Sequence, residues 1–232
     1  MNGGDHIGLA HHVLDHQLLD TRGERCGKAD DVALREVEGR WELHAILAGA
    51  GVLQARYPGR LMRWLVGLGG SEQVVVPARA IGTVDGHVHL TTAAPSLGLA
   101  SGEQRAAGTV ARILGPDAHA AALGRDASEQ AAAPIVELDS DVVRLSQLLG
   151  RPAVDEAGVA LGRIRDLRME RSGRMLDEAA GAAWVLTHVL VGRRGLAERF
   201  GMSSGDRGAI DATSLDVRAD GRVTLRGSRR AA

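Results

Sequence analysis

Apolar positions in this chain fall into short runs rather than along a helical stripe. Runs of roughly four to eight residues recur, and the breaks between them are turn-forming: "TRGE" (21–24), "VEG" (37–39), "DG" (85–86), "EAG" (156–158), "RSG" (171–173) and "DG" (220–221). Asp-Gly between apolar stretches suits a tight hairpin, because glycine takes positive φ without steric cost. Gly23 and Gly158 are expected to do the same for an earlier hairpin. Several short strands within about 80 residues, with no long helical period, predict a small closed or nearly closed β-barrel.

The pattern is written twice. "DTRGERCGKADDVAL" (20–34) lies on "DEAGVALGRIRDLRM" (155–169) at an offset of 135, and "VDGHVHL" (84–90) lies on "ADGRVTL" (219–225) at the same offset. Between them, "WELHAILAGAGVLQARY" (41–57) matches "WVLTHVLVGRRGLAERF" (184–200) without a gap at an offset of 143. The second copy gains eight residues within "RSGRMLDEAAGAA" and loses as many after Phe200, where the first copy has "PGRLMRWLVGLGG". Insertions confined to loops indicate duplicated domains rather than a solenoid. The expected organisation is a flexible N-terminus (1–11), a first barrel (12–93), a linker (94–140), a second barrel (141–227) and a short tail (228–232). The linker is rich in Ala and Gly and broken by Pro95, Pro116 and Pro134. Val110, Ile113 and Leu114 give it a short apolar face, so part of it reads as helical.

Composition adds limits. Of 232 residues, 44% are hydrophobic and 25% charged, an ordinary globular balance. No apolar run approaches the roughly 18 residues of a membrane span, and "MNGGDHIGLAHH" lacks the pattern of a signal peptide, so a cytoplasmic location is expected. The single cysteine, Cys26, excludes an internal disulfide. Net charge is -1 overall, but residues 141–232 carry 16 basic against 12 acidic side chains. Only Lys28 is a lysine, a bias that does not by itself point to nucleic acid.

The repeated residues D-x-x-G-x-x-x-G-[KR]-x-x-D-[VL] resemble the PRC-barrel superfamily, which includes the cytoplasmic domain of the photosynthetic reaction centre H subunit and the C-terminal domain of a ribosome maturation factor. The first copy matches at Asp20, Gly23, Gly27, Lys28, Asp31 and Val32, the second at Asp155, Gly158, Gly162, Arg163, Asp166 and Leu167. The likeness covers about residues 12–92 and 145–226; the family's Val-Pro strand start is Val76-Pro77 in the first copy and Asp211-Ala212 in the second. It implies a mainly β protein of two small PRC-type barrels. It also implies a non-enzymatic fold that binds protein partners, sometimes within RNA–protein assemblies, with no shared catalytic residues and no cofactor.

Candidate chemistry is sparse. Ile164 and Leu167 break strict alternation at Asp166, which predicts a β-bulge whose carboxylate bonds freed backbone N–H groups. Asp31 occupies the same place in the first copy. Cys26 corresponds to Leu161 and is read as a small hydrophobe. His6, His11, His12 and His16 resemble a metal tract, with His12 and His16 spaced for one helix face, but no further ligand completes a set. His87 and His89 share a strand face, where the second copy has Arg222 and Thr224. Trp41 and Trp184, at equivalent positions, are read as core rather than as base-stacking platforms. No phosphate loop, nucleophile elbow or HExxH stretch occurs.

The best candidates for function are Arg193 and Arg194, which replace Ala50 and Gly51 of the first copy, together with Arg199. They would grip an anionic partner. The leading expectation is an adaptor for protein partners. The alternatives are an RNA- or ribosome-associated assembly factor, and membrane-surface association through "LQARYPGRLMRWLVGL" (53–68), a basic amphipathic stretch also readable as a lid over a barrel end.

Overall fold

Turn signals and apolar runs resolve into β-ladders, in a computed structural model that describes residues 6–49, 51–52, 56, 73–99, 141–172, 183–192, 208–212, 214–217, 222–226 and 229–230. Among these, the first half of the chain forms β1 (His6–Gly8), β2 (Gln17–Leu19), β3 (Arg25–Lys28), β4 (Asp31–Val37), β5 (Arg40–Ala48), β6 (Val74–Pro77), β7 (Ile81–Val84) and β8 (Val88–Leu90). The second half forms β9 (Val142–Arg144), β10 (Pro152–Val154), β11 (Ala160–Ser172), β12 (Ala183–Gly192), β13 (Ala209–Asp211), β14 (Ser214–Val217), β15 (Val223–Arg226) and β16 (Arg229–Arg230). The protein is mainly β, with a curled half-barrel sheet and a second sheet of four strands in the order β3-β2-β8-β7. Of the linker, only residues 94–99 are described, beginning with a turn of 3-10 helix at Ala94–Leu97. No described helix is long and apolar enough to cross a membrane.

The duplication is carried by the ladders as well as by the residues. Leu18 opposite Gly27 in β2–β3 becomes Ala153 opposite Gly162 in β10–β11, both antiparallel. Leu18 beside Val88 in the parallel pair β2–β8 becomes Ala153 beside Val223 in β10–β15. Each leading strand is followed by one helical turn, Leu9–Val13 (π-helical) in the first copy and Leu145–Leu148 (α-helical) in the second. One local register differs from the sequence match. Pro77 faces Ala45 where Asp211 faces His188, so Pro77 corresponds to Asp211 rather than Ala212.

Which copy each leading strand serves is the less expected feature. β1 does not pair with its own copy; it lies antiparallel to β11, with His6, Ile7 and Gly8 opposite Glu170, Met169 and Arg168. Its counterpart β9 lies antiparallel to β4, with Val142, Val143 and Arg144 opposite Arg35, Leu34 and Ala33. Allowing for the one extra residue in the helical turn of the first copy, the two registers are the same register, exchanged. β5 and β12 meet at Glu42 and Val185, residues that match one another in the repeat.

The chain accordingly divides into two compact units that are not its two halves. One comprises residues 1–13, 32–44 and 140–232; the other comprises 14–31 and 45–139. His6–Gly8, which the sequence places in an N-terminal tail, belongs to the first unit as a strand because Ile7 and Leu9 are buried there. In that unit Leu34, Leu145, Leu148, Ile164, Leu167, Met169, Trp184 and Leu215 form the fully buried core. In the other, Leu18, Ile46, Leu47, Val76 and Val88 do so. Burial of each Leu-sized side chain stabilises by about 2 kcal/mol.

Candidate functional site

The repeated motif residues can be followed atom by atom. At the first hairpin tip the Asp20 carboxylate accepts N–H bonds from Arg22 (2.8 Å) and Glu24 (3.0 Å), while Gly23 N–H closes onto Asp20 O at 2.9 Å. At the second, Asp155 Oδ1 accepts from Val159 N–H at 2.8 Å and Gly158 N–H closes onto Asp155 O at 3.0 Å. Gly23 and Gly158 have φ of 75° and 81°, as the turns require. The Arg22 N–H bond, supported by Glu24, lowers the Asp20 pKa against the opposing effect of burial. Gly162 has φ 136°, and a Cβ there would stand 3.3 Å from Gly192 N; Gly27 has φ 147° but nearest contacts to Leu99 and Leu18 side chains at 3.7 and 3.9 Å.

One backbone therefore carries two surfaces. Arg22, Glu24 and Arg25 are exposed on the first tip; Ala157, Val159 and Ala160 are exposed on the second. Val159 shows 58% of its surface, where its counterpart is Glu24.

Asp31 and Asp166 are buried, at 0% and 8% exposure. The bulge expected at Asp166 is present, as a register shift between Ile164 and Asp166. Asp166 Oδ1 accepts N–H bonds from Leu167 (2.7 Å) and from Ala10 (2.6 Å) in the helical turn after β1. A Cβ on Gly8 would lie 2.5 Å from Asp166 Oδ2, so glycine leaves room for the carboxylate. Burial raises the Asp166 pKa, opposed by the Ala10 and Leu167 N–H groups and by His12. Asp30, which sequence reading passed over, accepts Gly49 N–H at 2.7 Å, and burial raises its pKa too. Asp30 and Asp166 thus spend their carboxylates on backbone.

The histidines are dispersed. The helical turn ends at Val13, so His12 and His16 share no helix face; His12 Nδ1 accepts Gly8 N–H at 2.9 Å, and His16 Nδ1 lies 3.1 Å from Leu14 O. His89 Nε2 bonds Asp85 Oδ1 at 2.8 Å. No group of three or more potential metal ligands occurs among the described residues. Cys26 is buried with its Sγ 3.4 Å from Leu18 O. Both tryptophans are core: Trp41 Nε1 donates to Leu215 O at 3.0 Å, and the Arg171 guanidinium lies 4.9 Å from the Trp184 ring centroid.

A second bulge brings together a cluster that the sequence hid. β12 shifts register against β11 between Arg168 and Met169, leaving Thr187 as the extra residue. Thr187 Oγ1 then lies 3.0 Å from His188 Nδ1, and His188 Nε2 lies 2.9 Å from Asp211 Oδ1 on β13. Hydroxyl, imidazole and carboxylate in series have the connectivity of an activated nucleophile. Thr187 Oγ1 also donates to Arg168 O at 3.3 Å, and Thr187 O accepts Ala212 N–H at 3.1 Å. The cluster therefore ties β11, β12 and β13 together. In the first copy, Ala45 faces Pro77 at this position.

Arg193, Arg194 and Arg199 lie outside the described residues, as does the 53–68 stretch apart from Arg56. Arg56 pairs with Asp15 at 2.9 Å and donates to Asp30 O at 3.1 Å. The sequence matches no protein-family model and no curated protein.

Proposed function

We propose that the protein is a non-enzymatic adaptor of PRC-barrel type that binds a protein partner, and that the second hairpin tip forms part of the binding surface. The carrying observation is Val159, 58% exposed on a turn whose hydrogen bonding is reproduced in the first copy with Glu24 in its place. The turn does not need an apolar residue there, and exposed Ala157 and Ala160 flank it. The residues that recur between copies support the same reading, because Asp20 and Asp155, the paired glycines and the tryptophans serve turns and packing.

Affinity capture from native lysate with the full chain and with Val159→Glu tests this. Val159→Glu installs the first copy's residue and leaves the Asp155 turn intact. A protein held by wild type, lost with the variant and retained after nuclease treatment and membrane depletion supports the adaptor. Capture unchanged in Val159→Glu removes the tip from the reading. Capture abolished by nuclease shifts the function to RNA association, for which Arg193→Ala/Arg194→Gly should flatten the salt dependence of binding. Capture lost only on membrane depletion shifts it to a membrane surface.

A further inference from the structure

The segment His6–Val13 is an arm. It belongs to the first compact unit, whereas the chain from Leu14 onward enters the other. Ile7, Leu9 and Val13 are buried, β1 adds to β11 over three residue pairs, and Ala10 N–H caps Asp166. Between arm and β2 lies a three-residue hinge, Leu14–His16. In it Asp15 has φ 65°, with its N–H on Ala29 O at 2.7 Å. The second copy makes the same hinge with Gly150, at φ 79° and with its N–H on Ile164 O at 2.8 Å. Glycine adopts that conformation freely, whereas a side chain at Asp15 strains it.

We propose that the partner for this arm can be a second copy of the chain, which dimerises by mutual exchange of His6–Val13. Within one chain each leading strand already leaves its own repeat for the other, as the matching registers of β1 on β11 and β9 on β4 show. Every contact of the docked arm, from Ile7 in the core to Ala10 on Asp166, is preserved when the arm comes from another molecule. Only the hinge differs, and opening it releases the positive φ of Asp15 against the N–H bond to Ala29 O and the ion pair with Arg56 that hold it closed. Exchange of an identical element across a short strained hinge is a low-cost route to a dimer. This inference does not depend on the Val159 surface.

The test uses the full chain with Cys26→Ala, to remove the native thiol, and His6→Cys/Glu170→Cys. These two positions are cross-strand neighbours whose side chains approach to 3.9 Å. Diamide accepts the two hydrogens as the thiols form a disulfide. On a non-reducing denaturing gel, exchange gives a disulfide-linked dimer whose fraction rises with protein concentration during incubation. In an Arg56→Ala background, where Asp15 has no ion pair with Arg56 to lose, adding Asp15→Gly relaxes the closed hinge and should lower that fraction several-fold. Light scattering on the unmodified chain should show a dimer, and Arg56→Ala should form more of it than Arg56→Ala/Asp15→Gly, without any engineered cysteine. Intrachain linkage at every concentration, with only monomer by light scattering, overturns the proposal. So does a dimer fraction indifferent to Asp15→Gly in the Arg56→Ala background.

Discussion

Glu42 and Val185, which match in the repeat at an offset of 143, lie directly opposite one another on antiparallel β5 and β12. Together with the exchanged strands β1 and β9, this pairing means that neither repeat completes its pairing alone. Residues 1–100 and 136–232, expressed separately, should show weak β signal and no cooperative melt. Mixing them should restore both, measured by circular dichroism. Two fragments that fold alone to full stability would show that the exchange is dispensable.

The motif glycines should differ in cost. Gly27 and Gly162 share a positive φ, but only Gly162 brings a new Cβ against backbone, at Gly192. Gly162→Val is expected to destabilise by about 3 kcal/mol and Gly27→Val by about 1–2 kcal/mol, from backbone strain with and without that contact. Urea denaturation of both variants checks the order.

The tryptophans offer a cleaner comparison. Trp41 Nε1 donates to Leu215 O, whereas Trp184 Nε1 is buried with no hydrogen-bond partner among the described residues. Trp41→Phe leaves the Leu215 carbonyl without this donor and should cost about 1–2 kcal/mol more than Trp184→Phe. Equal melting temperatures for the two variants would contradict it.

Asp20 and Asp166 should respond to pH in opposite senses. The Arg22 N–H bond lowers the Asp20 pKa, so its stabilisation is present above the ordinary carboxylate value of 3.8 and lost as pH falls through the lower folded value. Asp20→Ala should therefore lower the melting temperature at neutral pH, with the gap closing in acid.

Burial raises the Asp166 pKa above the same 3.8. Its contribution is complete below 3.8 and is lost as pH rises through the higher folded value. Asp166→Asn keeps an oxygen for the Ala10 and Leu167 N–H groups. The stability of wild type relative to this variant should decline over that rise and then level off, as followed by urea melts across pH. A difference independent of pH would show that the carboxyl group is not titrating in the fold.

Local chemistry was readable from the residues alone. Aspartate, glycine and short apolar runs dictated the hairpin turns at Asp20 and Asp155, and the broken alternation at Asp166 dictated its bulge, because each depends on φ, on side-chain reach and on a period of two. The duplication was equally legible. Partner choice was not. "HIG" and "VVR" carry nothing that distinguishes one repeat's edge from the other's, so only closure of the chain in three dimensions, with positive φ at Asp15 and Gly150, sends β1 to β11 and β9 to β4. The same holds for Thr187, His188 and Asp211. In "WVLTHVLV" only the adjacent polar pair Thr187-His188 interrupts the apolar residues, and the bulge itself arises from the register that β11 imposes across the ladder, a property of two strands rather than of either sequence.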